Sequence, residues 1–202
     1  MIPMIFAAAA LALSAQCHYS YTVWNVKARK SLIHKSVSKP YGELTRAEKG
    51  PLGCTPCEED QADIVLSNGV GFKACRKAGP AIKTALDAAL AGGQGIVSVV
   101  AYRPQVSKGP ADASGNRTEL SNHSFGAAVD INEEHNGLYD NCLAWSKKCA
   151  LRKGGAYRPG ADPLSLRIES PAVVEMKKAG FLWGGEIEGR QKDFMHFSPT
   201  GY

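Results

Sequence analysis

The sequence lacks the features of several large protein classes. It has no internal repeat of roughly 20 to 50 residues, which excludes solenoids and propellers, and no charge block typical of disordered chains. It contains no Walker loop and no G-x-G-x-x-G fingerprint. Basic and aromatic residues are not interleaved as in nucleic-acid platforms. We therefore expect no nucleic-acid partner and no nucleotide-binding domain.

The sequence has a single long apolar run, at residues 2–15. This run is too short to span a bilayer comfortably and has no second run to accompany it, so we expect no transmembrane span. It ends in small residues, which is typical of a cleavage site. We predict that residues 1–15 are a signal peptide and that the protein is exported to the periplasm or outside the cell. Lipidation of Cys17 is an alternative that Gln16, in place of a small residue, does not favour.

The chain has six cysteines, all after the apolar run. An even number in an exported chain favours structural disulfides, and Cys142 and Cys149 are close enough to be joined across a short loop. The trio Cys54, Cys57 and Cys75 is open to a second interpretation, as a thiolate metal site or redox pair. That interpretation lacks a second C-x-x-C and a thioredoxin-like pattern. Disulfides are therefore our prediction.

Positive charge is concentrated near the N-terminus. Residues 27–49 hold seven lysines and arginines against two glutamates, which equals the whole net charge of +5. This segment is either a solvated linker or a basic arm that contacts an anionic cell wall or membrane surface. We predict a basic extension over residues 16–53 and one compact domain over residues 54–202, and the chain is long enough to bury a core of its own. We expect a monomer.

The periodicity of the compact domain predicts few regular elements. Apolar residues at helical spacing indicate a helix from Pro80 to Ala91, and Ser170-Pro171 starts a second helix that Gly180 ends. Short apolar runs predict strands, while a stretch rich in Gly, Pro, Asp and Ser predicts a surface loop at 107–118. The strands are expected at 96–102, 127–131, 181–183 and 194–197. This order predicts an α+β fold with a small, mainly antiparallel sheet flanked by helices.

Three polar side chains in separate segments are candidate metal ligands. His123, Asp130 and His196 would supply the three nitrogen or oxygen ligands of a catalytic zinc and leave one position for water. Asp130 ends an apolar strand, where an unpaired carboxylate would be costly. From spacing alone, each histidine could equally be an ordinary hydrogen-bonded residue.

The motifs around these residues resemble those of a known family. The run SNHSFGAAVDIN is similar to the S-x-H-x-x-G-x-A-x-D signature of the D-alanyl-D-alanine carboxypeptidase family of zinc peptidases, which includes VanX, VanY and several phage endolysins. WGG followed by DFMHF resembles the second signature, and AYRP resembles the Tyr-Arg that precedes the first. The motifs follow the family's order and leave the N-terminal half uncovered. The family fold, shared with hedgehog signalling domains, is a small α+β fold.

The resemblance implies a role for each matching residue. His123, Asp130 and His196 would hold one zinc ion per chain. Asp193 would be the catalytic carboxylate, where some relatives have Glu, and Arg103 would stabilise the oxyanion. Near the substrate the resemblance places three more residues, Ser121, Trp183 and Tyr102. More ordinary roles remain open: a loop cap for Asp193, an ion pair for Arg103, a turn cap for Ser121 and a core position for Trp183.

The function implied is hydrolysis of peptidoglycan stem peptides, first of all as a D-Ala-D-Ala carboxypeptidase. Two alternatives remain. One is an endopeptidase that cuts L-alanyl-D-glutamate bonds, as related endolysins do. The other is a zinc-containing module that binds the cell wall without turnover. Retention of both Asp193 and Arg103 favours an enzyme over the module.

Overall fold

The computed structural model describes residues 15–201, so nearly all of the predicted signal peptide (residues 1–15) lies outside the described residues. Within them the chain forms two α-helices, α1 (Gly79–Ala91) and α2 (Pro171–Lys178), and thirteen strands, of which β1 and β2 are the longest. The strands are β1 (Gln16–Asn25), β2 (Lys30–Pro40), β3 (Gln61–Val65), β4 (Gly71–Cys75), β5 (Val99–Val100), β6 (Gln105–Ala111), β7 (Arg117–Leu120), β8 (Val129–Ile131), β9 (Leu138–Asp140), β10 (Ala150–Lys153), β11 (Leu182–Trp183), β12 (Gln191–Asp193) and β13 (His196–Ser198).

The two helices confirm the periodicity of the sequence. Each has a proline in its first turn, where the missing N–H costs no hydrogen bond. Their buried sides meet in the main core, to which α1 contributes Ile82 and Leu86 and α2 contributes Val173 and Met176. Neither helix of the described chain has the length and apolar character needed to cross a membrane.

Four short strands form the sheet that carries the candidate ligands. Their order is β11-β13-β8-β5, and every neighbouring pair is antiparallel. The register places His196 of β13 directly opposite Asp130 of β8. The strand expected at 96–102 is regular only at β5, because most of that run pairs with no neighbouring strand. Two helices with small, mostly antiparallel sheets confirm the α+β prediction.

The prediction of a surface loop at 107–118 is wrong, since this segment forms most of the hairpin of β6 and β7. The turn residues that suggested a loop lie at bulges and at the tip, where Gly115 N–H donates to the Asp112 carbonyl at 2.9 Å. The hairpin is stabilised by pairing with a distant segment of the chain: β6 pairs with β1 in parallel orientation. Local composition does not reveal such a partner.

The N-terminal segment forms a hairpin that completes this second sheet, of order β2-β1-β6-β7. A disulfide joins Cys17 of β1 to Cys57. Glu48 is buried and accepts hydrogen bonds from Tyr19 Oη and Lys39 Nζ, each at 2.6 Å. Burial alone would raise the pKa of Glu48. The hydrogen bonds from these donors and from Thr45 outweigh this effect and lower the pKa to about 2. Glu48 therefore ties both strands of the hairpin to the segment that follows.

All six cysteines are paired, which confirms the prediction of structural disulfides. Besides Cys17–Cys57, the structure contains Cys54–Cys75 and Cys142–Cys149. The trio Cys54, Cys57 and Cys75 is thus split between two disulfides and is not a thiolate metal site. Three disulfides are typical of proteins of oxidising compartments.

Candidate metal centre

Three side chains from distant parts of the chain meet at one buried point. His123 Nε2 lies 3.0 Å from Asp130 Oδ1 and 3.1 Å from His196 Nδ1, and His196 Nδ1 lies 3.1 Å from the same Asp130 oxygen. The side chains of Asp130, His123 and His196 are only 4%, 6% and 9% exposed. The structure therefore brings together the three side chains that the sequence predicts as metal ligands.

The ring orientation of His123 is fixed by the backbone. Its Nδ1 lies 2.8 Å from the carbonyl oxygen of Ala101, and a carbonyl can only accept. Nδ1 therefore carries a proton and donates it, and Nε2 is the nitrogen that faces the centre. Metal-binding histidines commonly have such a partner on the far nitrogen. Sequence patterns do not show this contact, because the partner is a main-chain oxygen.

The spacing of the three ligand atoms suits zinc. In a tetrahedral site with bonds of about 2.0–2.1 Å, ligand atoms lie roughly 3.3 Å apart, close to the 3.0 and 3.1 Å observed here. Two imidazoles and one carboxylate also match the ligand chemistry of catalytic zinc, which leaves a fourth position open. These residues therefore fit a zinc ion in both chemistry and spacing.

The charge of Asp130 is held in place by its neighbours. Burial alone would raise the pKa of Asp130, but the imidazoles of His123 and His196 hold it well below its ordinary value. Arg103 contributes a further contact, since its Nη2 lies 3.4 Å from Asp130 Oδ2. The centre thus contains an ionised carboxylate, as metal binding requires.

Local backbone geometry explains the glycine of the first signature. His123 lies on a short 3-10 helix, Asn122–Phe125, that ends at Gly126 in the left-handed conformation with φ of 62°. A Cβ at Gly126 would lie 2.5 Å from the backbone nitrogen of Cys75. Only glycine allows both this conformation and the close approach of β4. The turn then leads directly into β8 and Asp130.

Two further predicted residues, Asp193 and Arg103, lie beside the centre. Asp193 ends β12, and its Oδ1 is buried without a hydrogen-bond partner among residues 15–201. Burial, reinforced by the negative charge of Asp130, raises the pKa of Asp193 to about 7. The side chain of Arg103 is 39% exposed and its backbone N–H donates to the His123 carbonyl at 2.9 Å. A proton-accepting group and a fixed cation therefore flank the three ligands.

The remaining predicted residues occupy supporting positions. Ser121 is buried immediately before the 3-10 helix, with its Oγ 3.3 Å from Ser124 Oγ. Tyr102 Oη donates to the Pro56 carbonyl at 2.7 Å, and the buried Trp183 Nε1 donates to the Phe194 carbonyl at 2.8 Å. Tyr102 and Trp183 thus use their polar atoms to hold backbone next to the site.

A comparison with protein families addresses the identity of this centre. Residues 114–199 match a family model described as D-alanyl-D-alanine carboxypeptidase. This match confirms the predicted resemblance to the family over these residues. The matched segment contains the three candidate ligands and Asp193, and begins after Arg103. Searches of curated proteins and of solved structures returned no match. The family assignment supports a zinc peptidase of the D-alanyl-D-alanine carboxypeptidase kind.

The Trp-Gly-Gly motif of the second signature forms a platform for Asp193. The indole N–H of Trp183 donates to the Phe194 carbonyl, as described above. Gly184 packs against Asp193, the residue that precedes Phe194 in the chain. A Cβ on Gly184 would lie 2.2 Å from the backbone oxygen of Asp193 and 3.0 Å from its Cβ. The sequence shows the motif, but not that its glycine touches the backbone that presents Asp193.

Replacement of Gly184 tests this platform. We expect Gly184→Ala to displace the backbone of Asp193 and to lower the free energy of unfolding by about 1–3 kcal/mol, as overpacking does. The measurement is urea denaturation followed by fluorescence. Gly42→Ala is the control, because a Cβ there meets nothing within 4 Å. Equal stability of the two variants would show that Gly184 is not needed for close packing.

Proposed function

We propose that this protein is a zinc peptidase that hydrolyses peptidoglycan stem peptides, first of all as a D-Ala-D-Ala carboxypeptidase. The observation that carries the proposal is the convergence of His123, Asp130 and His196 at zinc-like spacing, within a segment that matches this peptidase family. Asp193 and Arg103 lie beside the centre and have complementary chemistry. Asp193 can accept a proton, and Arg103 carries a fixed positive charge.

The proposed mechanism assigns one task to each group. Zinc, when bound, lowers the pKa of a coordinated water to about 7 and polarises the scissile carbonyl. Asp193 accepts the proton of the attacking water and returns it to the leaving amine. Its pKa near 7 in the protein without metal falls when a cation occupies the centre, which keeps the carboxylate ionised before attack. Arg103 presents its guanidinium to the oxygen on which negative charge develops.

Two alternatives differ in substrate or in turnover. An L-alanyl-D-glutamate endopeptidase would use the same centre, because the same groups attack any amide carbonyl. A zinc-containing module that binds the cell wall without turnover would need neither Asp193 nor Arg103. The presence of both beside the ligands favours an enzyme, and we propose the carboxypeptidase over the endopeptidase on the description of the matched family.

The setting of the enzyme is also part of the proposal. We propose export to the periplasm or beyond, supported by three disulfides, and action as a monomer. The basic segment 27–49 is proposed to contact anionic wall polymers. Of its cations, Arg29 and Lys35 are exposed on the hairpin of β1 and β2, whereas Lys39 forms an ion pair with Glu48 at 2.6 Å.

Defined muropeptides test the substrate. We expect the zinc-loaded protein to release only the terminal D-alanine from a pentapeptide stem, with products identified by mass spectrometry. Release of the stem peptide after L-alanine would instead establish the endopeptidase. If neither product forms, while the protein holds zinc and binds sacculi, the module without turnover is the correct function.

Asp193 is the residue whose loss should separate catalysis from metal binding. We expect Asp193→Asn to lower kcat by about 100-fold or more, because the amide cannot accept the proton of water. Zinc content, measured by elemental analysis, should stay near one equivalent. Asp63→Asn is the matched control, since Asp63 is highly exposed on β3. Turnover at the wild-type rate in Asp193→Asn would remove this residue from the mechanism.

His123 should be needed for both metal and stability. We expect His123→Ala to lose bound zinc and to lose the rise in Tm that zinc gives the wild-type protein, because metal binding adds its free energy to folding. Thermal unfolding with and without a chelator measures this rise. The exposed His34 of β2 supplies the control variant His34→Ala. Full zinc content in His123→Ala would contradict the ligand assignment.

A further inference from the structure

We infer that the disulfide Cys54–Cys75, together with Tyr102, is a positioning element that holds the His123 loop in its metal-binding conformation. The inference rests on the proposed function only in taking His123 as a zinc ligand. It gives a role to the cysteine-rich segment 50–61 and to strand β4, which lie outside the matched residues 114–199.

The first step of the argument is that β4 contacts both sides of the His123 loop. Cys75 N–H donates to the Gly126 carbonyl at 2.9 Å, three residues after His123. Tyr102 N–H donates to the Lys73 carbonyl at 2.8 Å. The residues on either side of Tyr102 are the ones that hold His123, since Ala101 accepts from its ring and Arg103 donates to its carbonyl. The position of β4 therefore sets the position of His123.

The second step is that segment 50–61 contacts the same loop from another direction. Pro56 accepts the hydrogen bond from Tyr102 Oη at 2.7 Å. Gly50 lies against the ring of Phe125, so closely that a Cβ there would be 2.3 Å from the ring. Gln61 is buried and donates to the carbonyls of Thr55 and Cys57, both at 3.0 Å. The segment thus has a fixed internal shape that fits the loop.

The third step is that Cys54–Cys75 covalently joins these two supports. Cys54 belongs to segment 50–61 and Cys75 ends β4. Both cysteines are only 1% exposed and belong to the main core. The chain already links the two supports, because Gln61 begins β3, which pairs with β4 and sets Gln61 opposite Cys75, and the disulfide adds a direct cross-link from Cys54 to the same end of β4. Partners that orient a ligand commonly change metal affinity 10–100-fold when they are removed.

The test compares zinc affinity in two variants that each lack one disulfide. The dissociation constant is measured by competition with a chromophoric chelator, in the full chain and without any peptide substrate. We expect Cys54→Ser/Cys75→Ser to weaken zinc binding about 10-fold or more. The control Cys142→Ser/Cys149→Ser loses a disulfide between residues seven apart and is expected to stay within about 3-fold of wild type. Serine leaves no free thiol to bind zinc.

A milder variant separates positioning from folding. Tyr102→Phe keeps all three disulfides and removes only the hydroxyl that reaches Pro56. We expect a several-fold weaker zinc affinity, a changed visible spectrum of the Co²⁺ form and an unchanged Tm without metal. A purely structural role would lower Tm and leave the Co²⁺ spectrum alone. If the disulfide variant does not fold, Tyr102→Phe decides.

The outcomes distinguish this inference from the proposed function. Wild-type affinity for zinc in both Tyr102→Phe and Cys54→Ser/Cys75→Ser would overturn the positioning role and leave the peptidase proposal intact. Failure of the wild-type protein to bind zinc would overturn both. Weaker zinc affinity in the two variants but not in Cys142→Ser/Cys149→Ser supports the inference.

Discussion

The burial of Asp130 between two imidazoles is the constraint on which the rest of the structure depends. A carboxylate that is 4% exposed would be strongly unfavourable without compensating partners. His123 and His196 are these partners. The distances among His123 Nε2, His196 Nδ1 and Asp130 Oδ1 are also close to those of a zinc site. Strands β8 and β13 are adjacent, and their register sets Asp130 opposite His196. The small central sheet is therefore built around a polar centre as much as around its apolar side chains.

Support for this centre comes from two independent parts of the chain. Segment 50–61 and β4 hold the side of His123, while the Trp-Gly-Gly platform holds the side of Asp193. Each support relies on a glycine that permits close backbone approach, Gly126 in one and Gly184 in the other. Ligands in separate segments thus stay in register although the elements that carry them are only three or four residues long. Rigid supports of this kind reduce the reorganisation needed when a metal binds.

The sequence predicts the candidate site better than the fold around it. Ligand identity follows from side-chain chemistry within compact motifs, and α1 and α2 follow from local periodicity. The hairpin of β6 and β7 was not predicted, because its stability comes from parallel pairing with β1, about 80 residues earlier in the sequence. The contacts of His123 with Ala101 and of Tyr102 with Pro56 were beyond prediction for a related reason. In both contacts the acceptor is a backbone carbonyl, which every residue type has, so the sequence does not identify it.

The distribution of exposure around the centre indicates how a substrate reaches it. The three ligands are almost fully buried, whereas the side chain of Arg103 is 39% exposed. Asp193, at the end of β12, is partly exposed, but its Oδ1 is buried, and Gly184 packs against its backbone. In the proposed mechanism, we therefore place the peptide carbonyl on the side of Arg103, where the site is open to solvent. Under this proposal, the negative charge of the oxyanion would form next to Arg103, and the proton would pass to a carboxylate oxygen that is buried, where electrostatic interactions are stronger than in water.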